Sequence, residues 1–177
     1  MGKVRPLRAR RSPRLAGYDD GQAGLYFVTV CTWGREPLLG EIVSGEMRCG
    51  PAGLAVQHAR ESLPLRFPSL ALDAFVVMPN RVHGILALGA DPSPPLGTPT
   101  TTLAAVLRAF KSVSAVEANR ALGRPGQPFW QRSDHDHIVR HDRALAHVRR
   151  YIADNPARWD TDPDNPQTDH PPNAHNP

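Results

Sequence analysis

The pair of residues with the clearest chemical potential lies near the end of the chain, in a segment with helical spacing. Tyr151 and Asn155 are four residues apart, so their side chains share one helix face, and His147 lies one turn earlier on it. A tyrosine beside a metal-capable amide suits phosphotyrosyl chemistry, in which a phenolate attacks a phosphodiester and a divalent ion lowers the barrier. Most helical tyrosines only cover the edge of a core, so the spacing alone does not establish a site.

A second polar pair opens an apolar segment in the middle of the chain. Arg81 and His83 alternate with Val82, so in a strand both side chains point to the same face of the sheet. His83 could bind a metal or a phosphate, and Arg81 could hold a phosphate by charge-assisted hydrogen bonds. The alternative is an ordinary polar strand end beside the turn at 79–80, and spacing alone favours that alternative.

Histidines are also dense near residue 140. Strand alternation places His135 and His137 on one side, with His141 and His147 further along the chain. Two imidazoles in register could bind a metal, but the segment offers no obvious third ligand. Histidines on a nucleic-acid-binding surface explain the pattern equally well, so we do not expect a zinc site.

The charge distribution indicates a polyanionic partner. The formal net charge is +4 and the sequence pI is about 9.6. Six cations fall in the first 14 residues, whereas the last 18 residues carry four aspartates and no Lys or Arg, which leaves +8 on residues 1–159. A basic body most often binds nucleic acid, although a merely solubilising surface has the same composition.

Aromatic and basic side chains suited to single-stranded DNA occur together in the second half of the chain. Aromatic rings stack bases and cations contact phosphates. Phe129 and Trp130 could equally be core residues at a junction between a loop and a strand. The candidates are Trp33, Phe129, Trp130 and Trp159 for stacking, and Arg108, Lys111, Arg132, Arg140, Arg149 and Arg150 for phosphate.

The elements that must position these residues follow a βαββαβα order. The first six match the ferredoxin-like split βαβ pattern, so the sequence predicts an α+β fold with an antiparallel sheet and a C-terminal helix that carries Tyr151. Tyr26, Val28, Val30 and Thr32 are expected on one side of the first strand. The predicted strands are 25–33, 70–78, 81–88 and 135–140, and the predicted helices lie within 53–63, 101–122 and 142–156.

Composition divides the chain into three parts and excludes some classes of protein. We expect a flexible basic arm over residues 1–20, one domain over 21–159, and a disordered acidic, Pro-rich tail over 160–177. Cys31 and Cys49 are too few for a disulfide framework or a cysteine zinc site. With no apolar run of membrane-spanning length and no apolar segment after the basic N-terminus, we expect a cytoplasmic, nucleoid-associated protein without a membrane partner.

Four stretches together resemble the REP-associated tyrosine transposases, within the single-tyrosine HUH transposase family. The combination of MPNxVH, WQR and YIxxNP carries the resemblance, which spans roughly residues 10–159. The stretches are RRSPRLAGYDDGQAGLYFVTVCTWGREPLLG (10–40), FVVMPNRVHGIL (75–86), FKS (110–112), and FWQRSDHDHIVR with YIADNP (129–156).

The resemblance implies an activity and a set of site residues. Tyr151 matches the nucleophile, His83 the second histidine of the HUH pair, and Asn155 the polar residue that completes the metal site. Such proteins cleave and rejoin single-stranded DNA beside imperfect palindromes through a 5′-phosphotyrosine, leave a free 3′-OH, use Mg²⁺ or Mn²⁺, and occur as monomers or homodimers. The residues expected to bind DNA are Arg10, Arg11, Arg14, Arg35, Lys111, Trp130, Arg132, Arg140 and Arg150.

The chain departs from the family pattern at the first HUH position, where Arg81 replaces a histidine. Arginine has five N–H donors and no free lone pair, so it cannot coordinate a cation, and we expect a weakened metal site. Arg81 could instead neutralise the phosphate directly, or His147 or His135 could serve as a replacement ligand.

Three functions therefore remain open from the sequence. The first is a DNA strand transferase that acts through Tyr151. The second is a catalytically impaired protein that binds single-stranded DNA hairpins, which Arg81 favours. The third is a general phosphate- or RNA-binding protein, since the ferredoxin-like fold hosts many functions.

Overall fold

The structure, a computed structural model, describes residues 23–89 and 101–166. The predicted basic arm, with Arg10, Arg11 and Arg14, lies outside the described residues. No helix within the described ranges is long and apolar enough to cross a membrane. The strands are β1 Gly24–Cys31, β2 Gly40–Val43, β3 Glu46–Cys49, β4 Leu70–Met78, β5 Arg81–Leu88 and β6 His135–Val139; the helices are α1 Pro51–Glu61, α2 Leu63–Arg66, α3 Leu103–Ala121 and α4 Asp142–Asp154.

Four of these strands form the main sheet, in the order β4-β5-β1-β6 with every neighbouring pair antiparallel. Strand β5 is therefore inserted between β1 and β4, which run parallel to each other and are joined through α1. This is the split βαβ arrangement, so the predicted α+β fold class is confirmed. The β1–β5 register places Thr29 opposite His83.

One face of the sheet packs against α1 and α3 to form the larger core. Tyr26, Val28, Val30 and Thr32 are all buried on this face, as their alternation predicts. Trp130 also lies in this core, only 7% exposed, and its indole Nε1–H donates to Ser114 Oγ at 2.9 Å. The prediction that Trp130 stacks a DNA base is therefore wrong.

The opposite face is covered by α4. Val148 and Ile152 on this helix pack against Ile85 of β5 and Val139 of β6, in a second and smaller apolar cluster. This contact fixes the height of α4 above the sheet. The neighbouring face of the helix, which carries Tyr151, consequently turns toward the end of β5 that holds Arg81.

A hairpin that the sequence analysis did not predict follows β1. Strands β2 and β3 pair through the turn Ser44–Gly45, where both residues have positive φ, +53° and +77°. A two-residue turn of this kind needs left-handed backbone at both positions, and glycine lowers the strain at the second. The sequence pattern of this hairpin was too short to predict it, because each strand has only four residues.

The folded domain also continues beyond its predicted end. A 3-10 helix spans Pro156–Thr161, and Trp159 and Asn165 are buried, with Asn165 Nδ2 donating to the Trp159 carbonyl at 3.1 Å. The predicted disordered tail is thus wrong for residues 160–166. The acidic composition of this segment favoured a solvated, disordered chain, but two of its carboxylates pair with arginines of the domain. Residues 167–177 lie outside the described part of the chain.

The Trp130–Ser114 bond generates a stability prediction. Ser114→Ala leaves the buried indole N–H without an acceptor, so we expect the free energy of unfolding to fall by about 1–3 kcal/mol in urea denaturation. Ser112→Ala, on the exposed side of the same helix, is the matched control and should change it by less than about 0.5 kcal/mol. Equal stability of the two variants would contradict this role for Ser114.

Candidate active site

A cleft of about 480 Å³ opens where β1 and β5 meet the end of α4 and the 3-10 helix that follows it. Strand alternation aims Arg81 and His83 into this cleft, and the four-residue spacing on α4 adds Tyr151 and Asn155. The structure thus brings together the four residues that the sequence singled out. The full lining is Thr29, Cys31, Arg35, Arg81, His83, His135, Tyr151, Asn155, Arg158, Thr161, Asp162, Pro163 and Asp164.

His83 is buried, 4% exposed, and both of its ring nitrogens are engaged. Nε2 lies 2.9 Å from Arg81 Nε, and because a guanidinium only donates, Nε2 must be the unprotonated acceptor. The proton is therefore on Nδ1, which donates to Thr29 Oγ1 at 2.8 Å. Burial, helped by the charge of Arg81, lowers the pKa of His83 to about 3, so the imidazole is neutral at physiological pH.

Arg81 is itself buried, 3% exposed, and makes bonds in several directions. Besides His83, its Nη2 donates to Asn155 Oδ1 at 3.1 Å and forms an ion pair with Asp162. Its Nη1 donates to Asn80 Oδ1 at 3.2 Å. The guanidinium therefore bridges the two side chains, His83 and Asn155, that the family resemblance assigns to the metal.

Tyr151 is 38% exposed and is held in place by neighbouring rings. It meets the ring of His83 edge-on, with the ring centroids 5.4 Å apart, and the ring of Phe27 in the same manner at 5.9 Å. Phe27 stacks on His83 in turn, at 5.7 Å. Such edge contacts orient an aromatic ring, so Tyr151 is positioned at the cleft while remaining accessible.

The helix that carries Tyr151 is also anchored at the edge of the sheet. Asp73 accepts two hydrogen bonds from Arg149, with Nε–Oδ1 at 2.9 Å and Nη2–Oδ2 at 2.6 Å. This contact lowers the pKa of the Asp73 carboxyl. Asp73 lies in β4 where the ladder with β5 is irregular, between Leu72 and Phe75. Arg149, a candidate for phosphate contact in the sequence analysis, is thus paired with Asp73.

The other predicted DNA-binding residues differ in their partners and in their exposure. Arg35 lines the cleft, 36% exposed, and pairs with Asp164. Lys111 is used within the domain, since its Nζ bonds to the Gln131 carbonyl at 2.6 Å and to Asp134 Oδ1 at 2.7 Å, so the structure does not leave it free for a phosphate. Four of the remaining candidate cations stand exposed on the surface: Arg108, Arg132, Arg140 and Arg150.

The histidines near residue 140 do not gather into one site. His135 lines the cleft, His137 packs on Phe27 with centroids 5.1 Å apart, and His141 caps α4 by accepting from the Ala144 amide at 3.1 Å. Within residues 23–89 and 101–166 no group of three His, Cys, Asp or Glu side chains is arranged to hold a metal ion.

The donor set does not fit a divalent cation. A metal needs the lone pairs of His83 Nε2 and Asn155 Oδ1, and each of these atoms accepts an N–H from Arg81. Mg²⁺ requires ligands at about 2.0–2.1 Å in near-octahedral geometry, which would place it against the guanidinium. At 4 Å and an effective dielectric constant of 20, a divalent ion and a unit charge repel by about 8 kcal/mol.

Sequence reasoning missed several residues around Arg81. Asp162 and Asp164 were assigned to a disordered tail on composition, and Asn80 was considered only as a turn residue. Thr29 could be placed on the face opposite Val28 by alternation, but its contact with His83 depends on the β1–β5 register. No pattern in the sequence specifies that register before the strand pairing is known.

The buried histidine predicts a pH dependence of stability. Below the ordinary pKa of about 6.5 the unfolded chain binds a proton on His83 that the folded chain does not, so stability must fall as the pH falls. We expect His83 to contribute up to about 1.4 kcal/mol per pH unit below pH 6.5. Urea denaturation between pH 8 and 5 should show a smaller slope for His83→Gln, which keeps an acceptor for Arg81. An identical slope would contradict the buried neutral state.

Comparison with curated sequences finds a relative of this chain, whereas no protein-family model matches it. An uncharacterized protein of Haemophilus influenzae is 32% identical over 172 residues, which cover 88% of this chain and 93% of the relative. This similarity extends over nearly the whole length of both proteins.

Comparison with solved structures shows which known proteins share this fold. The structure of the REP-associated tyrosine transposase bound to a REP hairpin matches with a TM-score of 0.55 at 20% identity, covering 89% of this chain and 74% of that one. A candidate transposase from Deinococcus radiodurans gives a TM-score of 0.48 at 22% identity, covering 80% and 96%. The chain therefore belongs to one family with the Haemophilus influenzae protein and has the fold of a tyrosine transposase.

Proposed function

We propose that this protein is a transposase-type DNA enzyme that binds hairpin-forming single-stranded DNA and cleaves and rejoins it through Tyr151. The observation that carries the proposal is the convergence of Tyr151, His83 and Asn155 on one cleft, in a fold shared with a transposase bound to a REP hairpin. A general phosphate- or RNA-binding protein would not need an accessible tyrosine at that point.

The proposed reaction exchanges one phosphodiester for another. The Tyr151 oxygen attacks the phosphorus, and the bond from phosphorus to the 3′-oxygen of the neighbouring nucleotide breaks. The phenol proton goes to solvent, and the leaving oxygen takes up a proton to become a free 3′-OH. The product is a 5′-phosphotyrosine, and attack by a 3′-OH on it reverses the sequence and rejoins a strand.

Exposed cations beside β6, on α4 and at the cleft supply the proposed DNA-binding surface. Arg132 and Arg140 flank β6, and Arg150 precedes Tyr151 on α4. Arg35 and Arg158 line the cleft itself. Cations of this kind attract the phosphate backbone whatever its sequence, so the choice of an imperfect palindrome depends on other contacts.

We further propose that a monomer is the functional unit. Tyr151 and His83 come from the same chain, and α4 packs on its own sheet through Val148 and Ile152. A homodimer in which the copies exchange α4 is the alternative.

A second candidate function is hairpin binding without cleavage. The observation in its favour is that Arg81 occupies the acceptor atoms of His83 and Asn155. The two candidates share the DNA-binding surface and differ only in whether a covalent intermediate forms.

The proposed covalent step predicts that removal of the Tyr151 oxygen abolishes the protein–DNA adduct. With a labelled hairpin-bearing single strand, the native chain should give a protein–DNA adduct on a denaturing gel, and Tyr151→Phe should reduce that adduct to background, because it removes only the attacking oxygen. The variant should keep hairpin affinity within about twofold, since Tyr151 is not proposed to hold the DNA. An adduct in Tyr151→Phe would rule out this nucleophile, and binding without an adduct in the native chain would favour the second candidate.

The surface cations predict a salt dependence. Arg132→Gln, Arg140→Gln and Arg150→Gln should each lower hairpin affinity and reduce the slope of log affinity against log salt by up to about 0.7, the value for one phosphate of a single strand. Arg120→Gln is the matched control, since it removes an exposed cation from α3 on the opposite face of the sheet. An equal effect of all four substitutions would mean that only net charge matters.

A further inference from the structure

We propose that the Arg81 guanidinium is the resident cation of this cleft and stands in the place of a divalent metal ion, so that the protein engages DNA phosphate without metal. The part of this inference that concerns phosphate rests on the proposed function. The part that concerns metal exclusion depends only on the residues of the cleft.

Arg81 contacts the acceptor atoms of both side chains that the family resemblance assigns to the metal. Its Nε–H points at His83 Nε2 at 2.9 Å, and its Nη2–H points at Asn155 Oδ1 at 3.1 Å. These are the acceptor atoms of the two side chains that a metal would need. The guanidinium therefore places a positive charge beside the same two side chains, and it occupies the free lone pair of His83 Nε2 and one of the two lone pairs of Asn155 Oδ1.

Arg81 is also held too firmly by its other partners to move aside for an ion. Asn80 and Asp162 accept two more of its N–H groups, and the centre of the Trp159 ring lies 5.5 Å from its Cζ. These partners come from the β4–β5 turn and from the segment beyond α4. In the described part of the chain no buried polar side-chain atom lacks a hydrogen-bond partner. Withdrawal of Arg81 would leave several of these acceptors unsatisfied.

Two guanidiniums at the cleft, those of Arg35 and Arg81, share one anion position. Asp164 Oδ2 forms an ion pair with Arg35 and lies 3.7 Å from Arg81 Nη1. Its side chain is 36% exposed, against 14% for Asp162, so another anion can reach this position by displacing Asp164. Guanidiniums bind the paired oxygens of a phosphate as they bind those of a carboxylate. Arg35 and Arg81 together carry two positive charges, which Asp162 and Asp164 balance until a phosphate displaces Asp164.

The experiment is a Mn²⁺ titration of the full chain, followed by the electron paramagnetic resonance signal of the free ion. The native chain is compared with Arg81→His, which frees His83 and Asn155 and adds an imidazole. Arg124→His is the matched control, because Arg124 pairs with Glu36 and Asn119 away from the cleft. We expect Arg81→His to bind one equivalent at least about tenfold more tightly than the native chain or the control.

Two outcomes of the titration would overturn the inference. One is that the native chain binds one equivalent of Mn²⁺ and loses it in His83→Gln, since the ion would then reach His83 despite Arg81. The other is that Arg81→His, folded by circular dichroism, binds Mn²⁺ no better than the native chain, since the guanidinium would then not be what excludes the ion.

A second measurement needs no variant at position 81 and so is independent of its folding. Hairpin affinity and adduct yield of the native chain are compared in EDTA and in Mn²⁺ at equal ionic strength, and both should agree within about twofold. An increase of about tenfold or more with Mn²⁺ in either quantity overturns the inference while leaving the proposed cleavage intact. Absence of an adduct in both conditions instead overturns the proposed cleavage, and the titration still decides the question of the metal.

Discussion

The arrangement of the cleft depends on one buried positive charge. A guanidinium removed from water is tolerated only when its donors and its charge are satisfied locally, and Arg81 obtains this from Asn80, His83, Asn155 and Asp162. These partners belong to separate parts of the chain: a turn, a central strand, the end of α4 and the segment after it. Satisfying Arg81 therefore also fixes the position of Tyr151 relative to the sheet.

Local patterns predicted much of the fold and the candidate residues, because alternation and helical spacing act over a few residues. These patterns alone predicted which side chains of β1 and β5 share a face of the sheet. They also predicted that Tyr151 and Asn155 share one face of a helix. What patterns could not supply were contacts between distant segments. The ordering of residues 160–166 depends on Arg35 and Arg81, more than seventy positions away in sequence, so acidic composition alone gave the wrong result there.

The same limit explains why some candidate DNA-binding residues proved structural. Lys111 and Trp130 have the side chains that a nucleic-acid surface needs, but these also satisfy internal requirements. Lys111 donates hydrogen bonds to carbonyls and a carboxylate of the loop before β6. Trp130 fills the core beside Ser114. Residue type indicates which interactions a side chain can make, whereas burial and partners decide which it does make.

The pairing of β1 with β5 has a consequence for acid–base chemistry. Thr29 faces His83 across this ladder, and its Oγ1 accepts a hydrogen bond from Nδ1. A slip of the ladder by one position would bring Val28 or Val30 opposite His83, and neither side chain has an oxygen to accept that proton. The register of two strands thus supplies an acceptor for the Nδ1 proton of the tautomer that Arg81 requires. Backbone pairing here supports one tautomer of a buried imidazole.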